Sequence, residues 1–406
     1  MASILPAPAA ALFRHPPFLA YLGARGFSRF ANQIAAVAVG WQIYALTGSA
    51  FYLGLVGLVQ FLPTLILVLL AGHAADRYDR KRVVQLCQFA EGLTAAFLAW
   101  GSFGGWLTPT HIFAAVAVFG TATAFESPAA AALLTGVVPE EMLQRATAFS
   151  TGAQQVAAVS GPAVGGLVYA LSPAAPYALV AFFWFLASLL NGSIKLVRLP
   201  VPREPPTFSA IFAGVAYVRH NPAILGTISL DLFAVLFGGA TALLPIYARD
   251  ILHTGPWGLG VLRAAPAVGA LLMASLLARH TIQRRMGMRM FTAVIVFGIA
   301  TVVFAVSYWL WLSILALIIM GAADNVSVVI RFSLVQLATP DAMRGRVSAV
   351  NYLFVNASNQ LGEFESGMTA ALFGAMPAAV LGGLGTIIVA LSWMKLFPTL
   401  RQIERA

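Results

Sequence analysis

The residues of this sequence that could do chemistry are the polar and charged ones set inside long apolar runs. Arg25, Arg29 and Asn32 stand at i, i+4 and i+7, which is one face of a helix. Glu126 and Asp231 each stand in a run of their own, Asp324 and Arg331 share a third, and Glu363 and Glu365 share a fourth. A charge at mid-membrane costs at least a few kcal/mol, so it faces water, a partner charge or a ligand. Two roles fit such residues. Mixed acids and bases can hold a polar or zwitterionic solute, and an acid can take up a proton, move it in neutral form and release it. One of Glu126, Asp231, Asp324 or Glu363 is expected to be the proton-coupling acid, with Glu126 and Asp324 the first candidates. The competing reading is static ion pairs, Arg29 with Glu126 and Asp231 with Arg331. Glu363 and Glu365 are two residues apart, so on a helix they point in different directions. Glu91 and Arg263 also fall inside apolar runs but outside this set.

Other chemistries find little support. The single cysteine, Cys87, leaves no internal disulfide and no cysteine-based metal site. The histidines His15, His73, His111, His220, His253 and His280 are scattered, with no i, i+4 pair of the HExxH type. There is no GxxxxGK[ST] phosphate loop, so no built-in ATPase is expected. No cofactor, no metal and no enzymatic activity are expected. The start, MASILPAPAAALFRHPPF, lacks the basic and cleavable pattern of a signal peptide.

The elements that must position these residues are membrane spans. Of 406 residues 60% are hydrophobic and 9% are charged, and the mean hydropathy is +0.86. A soluble protein devotes about a quarter of its residues to charge, so lipid must cover most of this surface. Apolar runs of spanning length fall near 18–46, 51–71, 83–104, 110–135, 147–171, 175–197, 222–247, 257–279, 290–307, 310–336, 347–373 and 377–397. Twelve helical spans are expected, since segments this long and uniformly apolar are not barrel strands. With a cytoplasmic N-terminus, Arg249 is the lone base in an outer loop, Arg25, Arg29, Arg263 and Arg331 lie in spans, and every other Lys and Arg is cytoplasmic. That bias accounts for the net charge of +10 without nucleic acid. Trp100, Trp106, Trp257, Trp309 and Trp311 cluster at the outer ends, as an interfacial belt should.

The polar, proline-rich stretch 198–221 divides the spans six and six. The expected organisation is a bundle over 1–197, a cytoplasmic linker over 198–221 and a bundle over 222–406. The halves also match in sequence. VPEEMLQRATAF after the fourth span pairs with TPDAMRGRVSAV after the tenth, so that Pro139 matches Pro340, Met142 matches Met343 and Arg145 matches Arg346. The same offset pairs Gly161 with Gly362 and Gly166 with Gly367. One offset held across a loop and the next helix indicates a parallel duplication of a six-helix unit.

With this organisation, the loop GHAADRYDRKRV at 72–83 is similar to the G-x-L-A-D-R-x-G-R-[RK] signature of the major facilitator superfamily. Gly72, Asp76, Arg77, Arg80 and Lys81 match; Ala74 replaces the usual leucine and Asp79 the second glycine. SGPAVGG in the fifth span resembles the exporter-associated G-P-x-x-G-G motif at Gly161, Pro162, Gly165 and Gly166, with Ala157 where a further glycine is usual. AFESPAAAALLTGVVPEE and NQLGEFESG resemble the bacterial branch of enterobactin exporters and macrolide efflux proteins. The resemblance covers essentially the whole chain.

The resemblance implies an all-α polytopic membrane fold of two six-helix bundles that work by alternating access. It implies that the first, fourth, seventh and tenth spans line a central cavity, and these carry most of the mid-span charges. It makes Asp76 and its neighbours a cytoplasmic latch, against the plainer reading of a topogenic charge cluster. In the second half, ARHTIQRRMGMR keeps the bases of that loop and lacks its acids. For the Gly-Pro motif, helix packing and a functional bend both stand. The expected function is proton-coupled export of an amphipathic small molecule, a siderophore or drug-like compound. The expected protein is a monomer in the bacterial inner membrane, with both termini cytoplasmic and with substrate, protons and lipid as partners. An importer, or a transporter of another solute such as a lysolipid, is the alternative, and a membrane-embedded enzyme a remote one.

Overall fold

The structure is a computed structural model that describes residues 12–194, 208–280 and 285–402; side chains at 68–69, 75–76, 208–212, 341–342, 344 and 349 lie outside that description. Among the described residues the chain is helical, with no strand. The first half runs α1 (Pro16–Thr47), α2 (Ala50–Arg77), α3 (Arg80–Phe103), α4 (Pro109–Val137), α5 (Glu140–Leu171) and α6 (Ala175–Ser193). Then come α7 (Phe208–His220), α8 (Pro222–Phe237), α9 (Gly255–Arg279), α10 (Met286–Ala305), α11 (Leu310–Ala338), α12 (Asp341–Phe373) and α13 (Ala375–Leu396).

Local sequence explains the boundaries. Thr108 with Pro109 and His111 makes a capping box at the start of α4. Asn221 caps α8 by accepting from the backbone N–H of Ala223 and Ile224, with Pro222 as first helical residue. Gly48 ends α1 at φ 60°, a left-handed conformation that glycine adopts without penalty. The repeat read in the sequence has a structural counterpart. Pro139 before α5 and Pro340 before α12 adopt φ/ψ of −59°/155° and −57°/150°. In each, the methionine N–H three residues on donates to the proline carbonyl, at 3.0 Å from Met142 and 2.9 Å from Met343.

Nine stretches of the described residues are long and apolar enough to cross a membrane. The expected number was twelve. The three helices that fall short, α1, α5 and α12, have 32, 32 and 33 residues, so they do not lack length. Their apolar runs are interrupted by polar residues, Asn32, Gln33 and Gln42 in α1, Gln154 and Gln155 in α5, and Asn351, Asn356, Asn359, Gln360, Glu363 and Glu365 in α12, which lower their hydropathy. One further expectation needs correction. The span read as 222–247 is not one continuous helix: α8 stops at Gly238 and Gly239, a 3₁₀ turn (Ala240–Leu243) and a π turn (Tyr247–Ile251) follow, and the apolar stretch runs on to Ile251. The part of the linker from Phe208 onward forms α7, whose Gly214 lies against Arg346 and Val350 of α12; residues 195–207 lie outside the described residues.

The chain groups into two compact units, Met1–Val39 with Val59–Pro206, and Gly40–Leu58 with Thr207–Ala406. In the first, α3 packs along α4 and α6, and Tyr177 and Trp184 of α6 are fully buried. In the second, α11 packs along α9 and α10, and α10 along α13. Large apolar side chains such as Trp100, Phe103, Trp309 and Trp311 are exposed. Aqueous solvent would not tolerate so much exposed apolar surface, but lipid does.

The Gly-Pro segment sits where α5 meets α1. Gly161, Pro162, Gly165 and Gly166 are all buried. A Cβ at Gly161 would meet the Gln33 Cβ at 2.7 Å, and one at Gly165 the Ile34 Cα at 3.1 Å. The side chain of Gln33 donates to the Ala158 carbonyl at 3.4 Å along the same seam. Such close backbone approach is how helices associate in lipid, where no hydrophobic force separates them from their solvent. Gly165→Leu is expected to force α1 off α5 and to destabilise the protein by about 1–3 kcal/mol, read as a lowered Tm in detergent. An unchanged Tm would exclude this packing.

Candidate functional site

In the first unit, polar side chains from five helices meet in an apolar surround. Glu126 of α4 is 6% exposed. Its Oε1 accepts from Ser28 Oγ of α1 at 3.0 Å and from Gln88 Nε2 of α3 at 2.9 Å. Arg25 of α1 pairs with the same oxygen at 3.9 Å and donates to Gln154 Oε1 of α5 at 3.2 Å. Asn191 of α6 donates to Gln88 Oε1 at 2.7 Å, which turns the Gln88 amide N–H toward Glu126. Glu91, one turn along α3 from Gln88, is 1% exposed, and its Oε2 has no hydrogen-bond partner among the described residues.

Arg25, one turn before Arg29, reaches Glu126, because the buried face of α1 here is Ala24, Ser28 and Ala31, flanked by Arg25. Arg29 is exposed and Asn32 is half-buried, so the three residues of the expected polar face do not share one environment. Glu91, outside the expected set, is buried one turn from Gln88. Ser28, Gln88, Gln154 and Asn191 are uncharged, and one polar residue per turn in an apolar helix gives little signal by itself. Only the i, i+3 spacing of Gln88 and Glu91 was visible beforehand.

In the second unit Asp231 of α8 and Arg331 of α11 form an ion pair, as the static-pair reading expected. Both are almost fully buried. Asp231 and Asp324 line a cavity of about 20 Å³ with Ser327, Ala323, Val294 and Phe297. That is room for one water molecule. The cavity lies within two turns of the break at Gly238 and Gly239. A discontinuous helix at membrane depth marks transporter binding sites, because its free backbone groups can meet a ligand or ion.

The remaining candidates separate. Glu363 lies within electrostatic reach of Arg263 and against Gly57, where an added Cβ would meet its Oε2 at 3.0 Å. Glu365 instead accepts from Thr369 Oγ1 at 2.8 Å, so the two acids do point apart. Near the end of α1, Tyr44 donates to Asp250, and Arg249 donates to the Tyr44 carbonyl at 3.2 Å and lies over its ring at 5.4 Å. Nothing in the sequence linked Tyr44 to Asp250, which are separated by 206 positions.

The 72–83 loop is shorter than expected. α2 continues to Arg77 and α3 starts at Arg80, so Asp76 stands in the last turn of α2, and its side chain lies outside the described residues. The residue that caps a helix N-terminus is Asp79, which accepts from Lys81 N at 3.0 Å. Its φ of −59° needs no glycine, which explains how an acid replaces the glycine of the signature. Arg80 donates to the Ala132 carbonyl of α4 at 3.4 Å. Lys81 donates to the Ile194 carbonyl at the end of α6 at 2.9 Å. A cation at a helix C-terminus satisfies carbonyls that have no helical partner. Arg77 is exposed and Gly72 half-buried.

A polytopic helical chain with buried ion pairs and a broken span has the features of a membrane transporter, and the comparisons agree. The chain belongs to the major facilitator superfamily: residues 7–406 match the family described as "Transmembrane secretion effector". It is similar to proteins named enterobactin exporter EntS. The Citrobacter koseri protein is 27% identical, with 96% of this chain and 94% of that protein covered. The Salmonella typhimurium protein is 25% identical with the same coverage. Among solved structures, a variant of the nucleoside transporter NupG has TM-score 0.75 at 14% identity, covering 94% of this chain and all of that one. A bacterial homolog of the human lysosomal transporter Spinster has TM-score 0.73 at 13% identity, covering 96% of each chain. At these identities the structures speak for the fold alone.

Removing one partner of the Asp231–Arg331 pair strands a buried charge, at a cost of roughly 3–5 kcal/mol. Asp231→Asn and Arg331→Gln are each expected to lower the Tm in detergent, and the double variant to recover part of the loss. A double variant no more stable than the sum of the singles would show that the pair is not coupled.

Proposed function

We propose that this chain is a twelve-span secondary transporter that exports an amphipathic small molecule, a siderophore or a drug-like compound, by alternating access coupled to protons. In this reading α1, α5 and α12 complete the count of spans. They are as long as the other spans, and α1 and α12 carry charges of the transport path. Two six-helix bundles, 1–197 and 222–406, are joined by the linker 198–221. The protein is a monomer of the bacterial inner membrane with both termini cytoplasmic, an orientation that rests on the distribution of Lys and Arg.

The observation that carries the proposal is the Arg25–Glu126 cluster, an acid and a base held in a polar network supplied by α1, α3, α4, α5 and α6. Purely structural packing does not need so many polar groups at membrane depth. An acid and a base together suit a polar or zwitterionic substrate. Export, and a siderophore as cargo, are favoured by the relatives, which are named enterobactin exporters and match along almost their whole length.

The site residues have separate proposed roles. Arg25, Arg29, Asn32, Glu126, Asp231, Asp324, Arg331, Glu363 and Glu365 belong to the substrate and proton pathway. Gly72, Asp76, Arg77, Arg80 and Lys81 form the conformational latch. Gly161, Pro162, Gly165 and Gly166 hold α5 against α1, the seam along which the first unit would flex. Inward proton flow supplies roughly 2.3 kcal/mol per charge per 100 mV, enough to drive accumulation against a gradient.

Enterobactin efflux from a strain lacking its own exporter tests the reading, with and without a protonophore. Expression is expected to restore efflux and the protonophore to abolish it. Efflux that ignores the protonophore would reject proton coupling, and no efflux across a panel of siderophores and antibiotics would reject export. In the same assay Glu126→Gln is expected to reduce efflux by about tenfold or more, a loss of at least ~1.4 kcal/mol. Asp76→Asn is expected to abolish transport while the protein still reaches the membrane in normal amount; normal transport would leave the loop a topogenic role alone.

A further inference from the structure

We propose that the cavity between α8, α10 and α11 binds one monovalent metal cation, held by Asp324 and Ser327 beside the Asp231–Arg331 pair. The inference goes beyond the export reading above and does not depend on it.

The cavity has a volume of about 20 Å³, which is room for one water or one ion and too little for an organic solute. Its polar lining is Asp231, Asp324 and Ser327, and the rest is apolar. The ion pair accounts for Asp231. Nothing among the described residues accounts for the other two. Asp324 is the middle residue of the 29-residue α11, and it has neither an ion-pair nor a hydrogen-bond partner among them. Ser327 is 4% exposed, and its hydroxyl makes no hydrogen bond with them either. A serine inside a helix commonly turns back to the carbonyl four residues before it. Ser333 of the same helix does so, donating to Val329 at 2.9 Å. Ser327 leaves that bond unmade and lines the cavity instead, on the same face of α11 as Asp324.

The surroundings select a cation. The polar atoms of the lining are oxygens, the ligands of hard metal ions. Ala234 and Val235 bring the last turn of α8 to the cavity, the negative end of a helix dipole. Helix ends at a break within a span coordinate ions in transporters.

The charge of the cation follows from the same residues. Arg331 offsets Asp231, so the carboxylate of Asp324 is the charge left to balance. Among the described residues no third acid, histidine or cysteine joins the two acids, as a divalent ion would require. The neighbouring helices add no charge to the lining. α10 contributes only Val294 and Phe297. Arg263 of α9 and Glu363 of α12 lie within electrostatic reach of each other, and neither lines the cavity. A water in the same place would satisfy the hydroxyl but leave the carboxylate unbalanced at mid-membrane. Asp324 is half-buried, so an ion has a way in, and Ser327 stands at the closed end.

Thermal unfolding of the purified full-length protein in detergent tests the site without any substrate. NaCl or KCl is exchanged for choline chloride at constant ionic strength, choline being too large for the cavity. At neutral pH the wild type is expected to gain Tm with at least one metal salt, along a saturating curve, as binding to the folded state requires. Ser327→Ala is expected to raise the half-saturating concentration about tenfold. Asp324→Asn is expected to abolish the response. Because it removes the charge and keeps the shape, it is also expected to be at least as stable as the wild type in choline chloride. Acidification is expected to remove the wild-type response, since a proton on Asp324 replaces the cation. Equal Tm in all three salts, or a response that survives Asp324→Asn, would overturn the site. A wild type stabilised by acid but indifferent to both metal salts would show that Asp324 takes a proton alone, and would overturn it equally. Export is judged separately, by efflux, so the failure of one reading is not the failure of the other.

Discussion

A carboxylate in hydrocarbon needs a cation, a proton or water beside it, and much of this structure is organised by how each buried acid obtains one. Asp231 has Arg331, and the two are held on α8 and α11 so that both are almost fully buried. Glu126 has Arg25 and two neutral donors. Glu363 has Arg263 within reach, while Glu365 has a threonine hydroxyl. Asp324 lines a cavity the size of one water. Each solution requires side chains from different helices at a fixed depth, and this sets the register of the helices more narrowly than apolar contact alone would. Side chains facing lipid contribute little to that choice, since lipid is as good a neighbour for leucine as another leucine.

The close packing serves the same end. Gly161 and Gly165 let α1 lie against α5, which places Arg25 within reach of Gln154. Gly57 leaves room for the Glu363 carboxylate. The bases of the 72–83 loop do more than fix orientation. Arg80 and Lys81 tie the start of α3 to carbonyls of α4 and at the end of α6, so the loop is braced by the helices around it. A braced loop is a suitable support for a latch, because the residue that switches needs a rigid frame to switch against.

The helical class, the duplication and the family were legible from the primary sequence. Long apolar runs, a biased distribution of Arg and Lys, and the paired PEEM and PDAM segments are local or periodic signals. The dihedrals at Pro139 and Pro340 carry the repeat into three dimensions. The break after Phe237 was not legible, although Gly238 and Gly239 are adjacent there, because two glycines in an apolar run also suit close packing. The helical hairpin tip, Gly40–Leu58, groups with the second unit through residues such as Tyr44 and Asp250, and no periodicity encodes contacts of that separation.

The buried charges illustrate where the line falls. The sequence by itself determined which residues have to be neutralised, since Glu91, Glu126, Asp231, Asp324 and Arg331 stand in runs that only lipid or a protein interior can surround. It did not determine who neutralises whom. Arg25 and Arg29 are one helical turn apart and chemically identical, and the contact of Arg25 with Glu126 depends on how α1 is rotated against α3, α4 and α5. Gln88 and Glu126 lie 38 positions apart on different helices, and only tertiary packing brings them into one hydrogen bond. The physical reason is that burial is a property of a segment, whereas pairing depends on the distance between segments, and the sequence records the first directly and the second only through the fold.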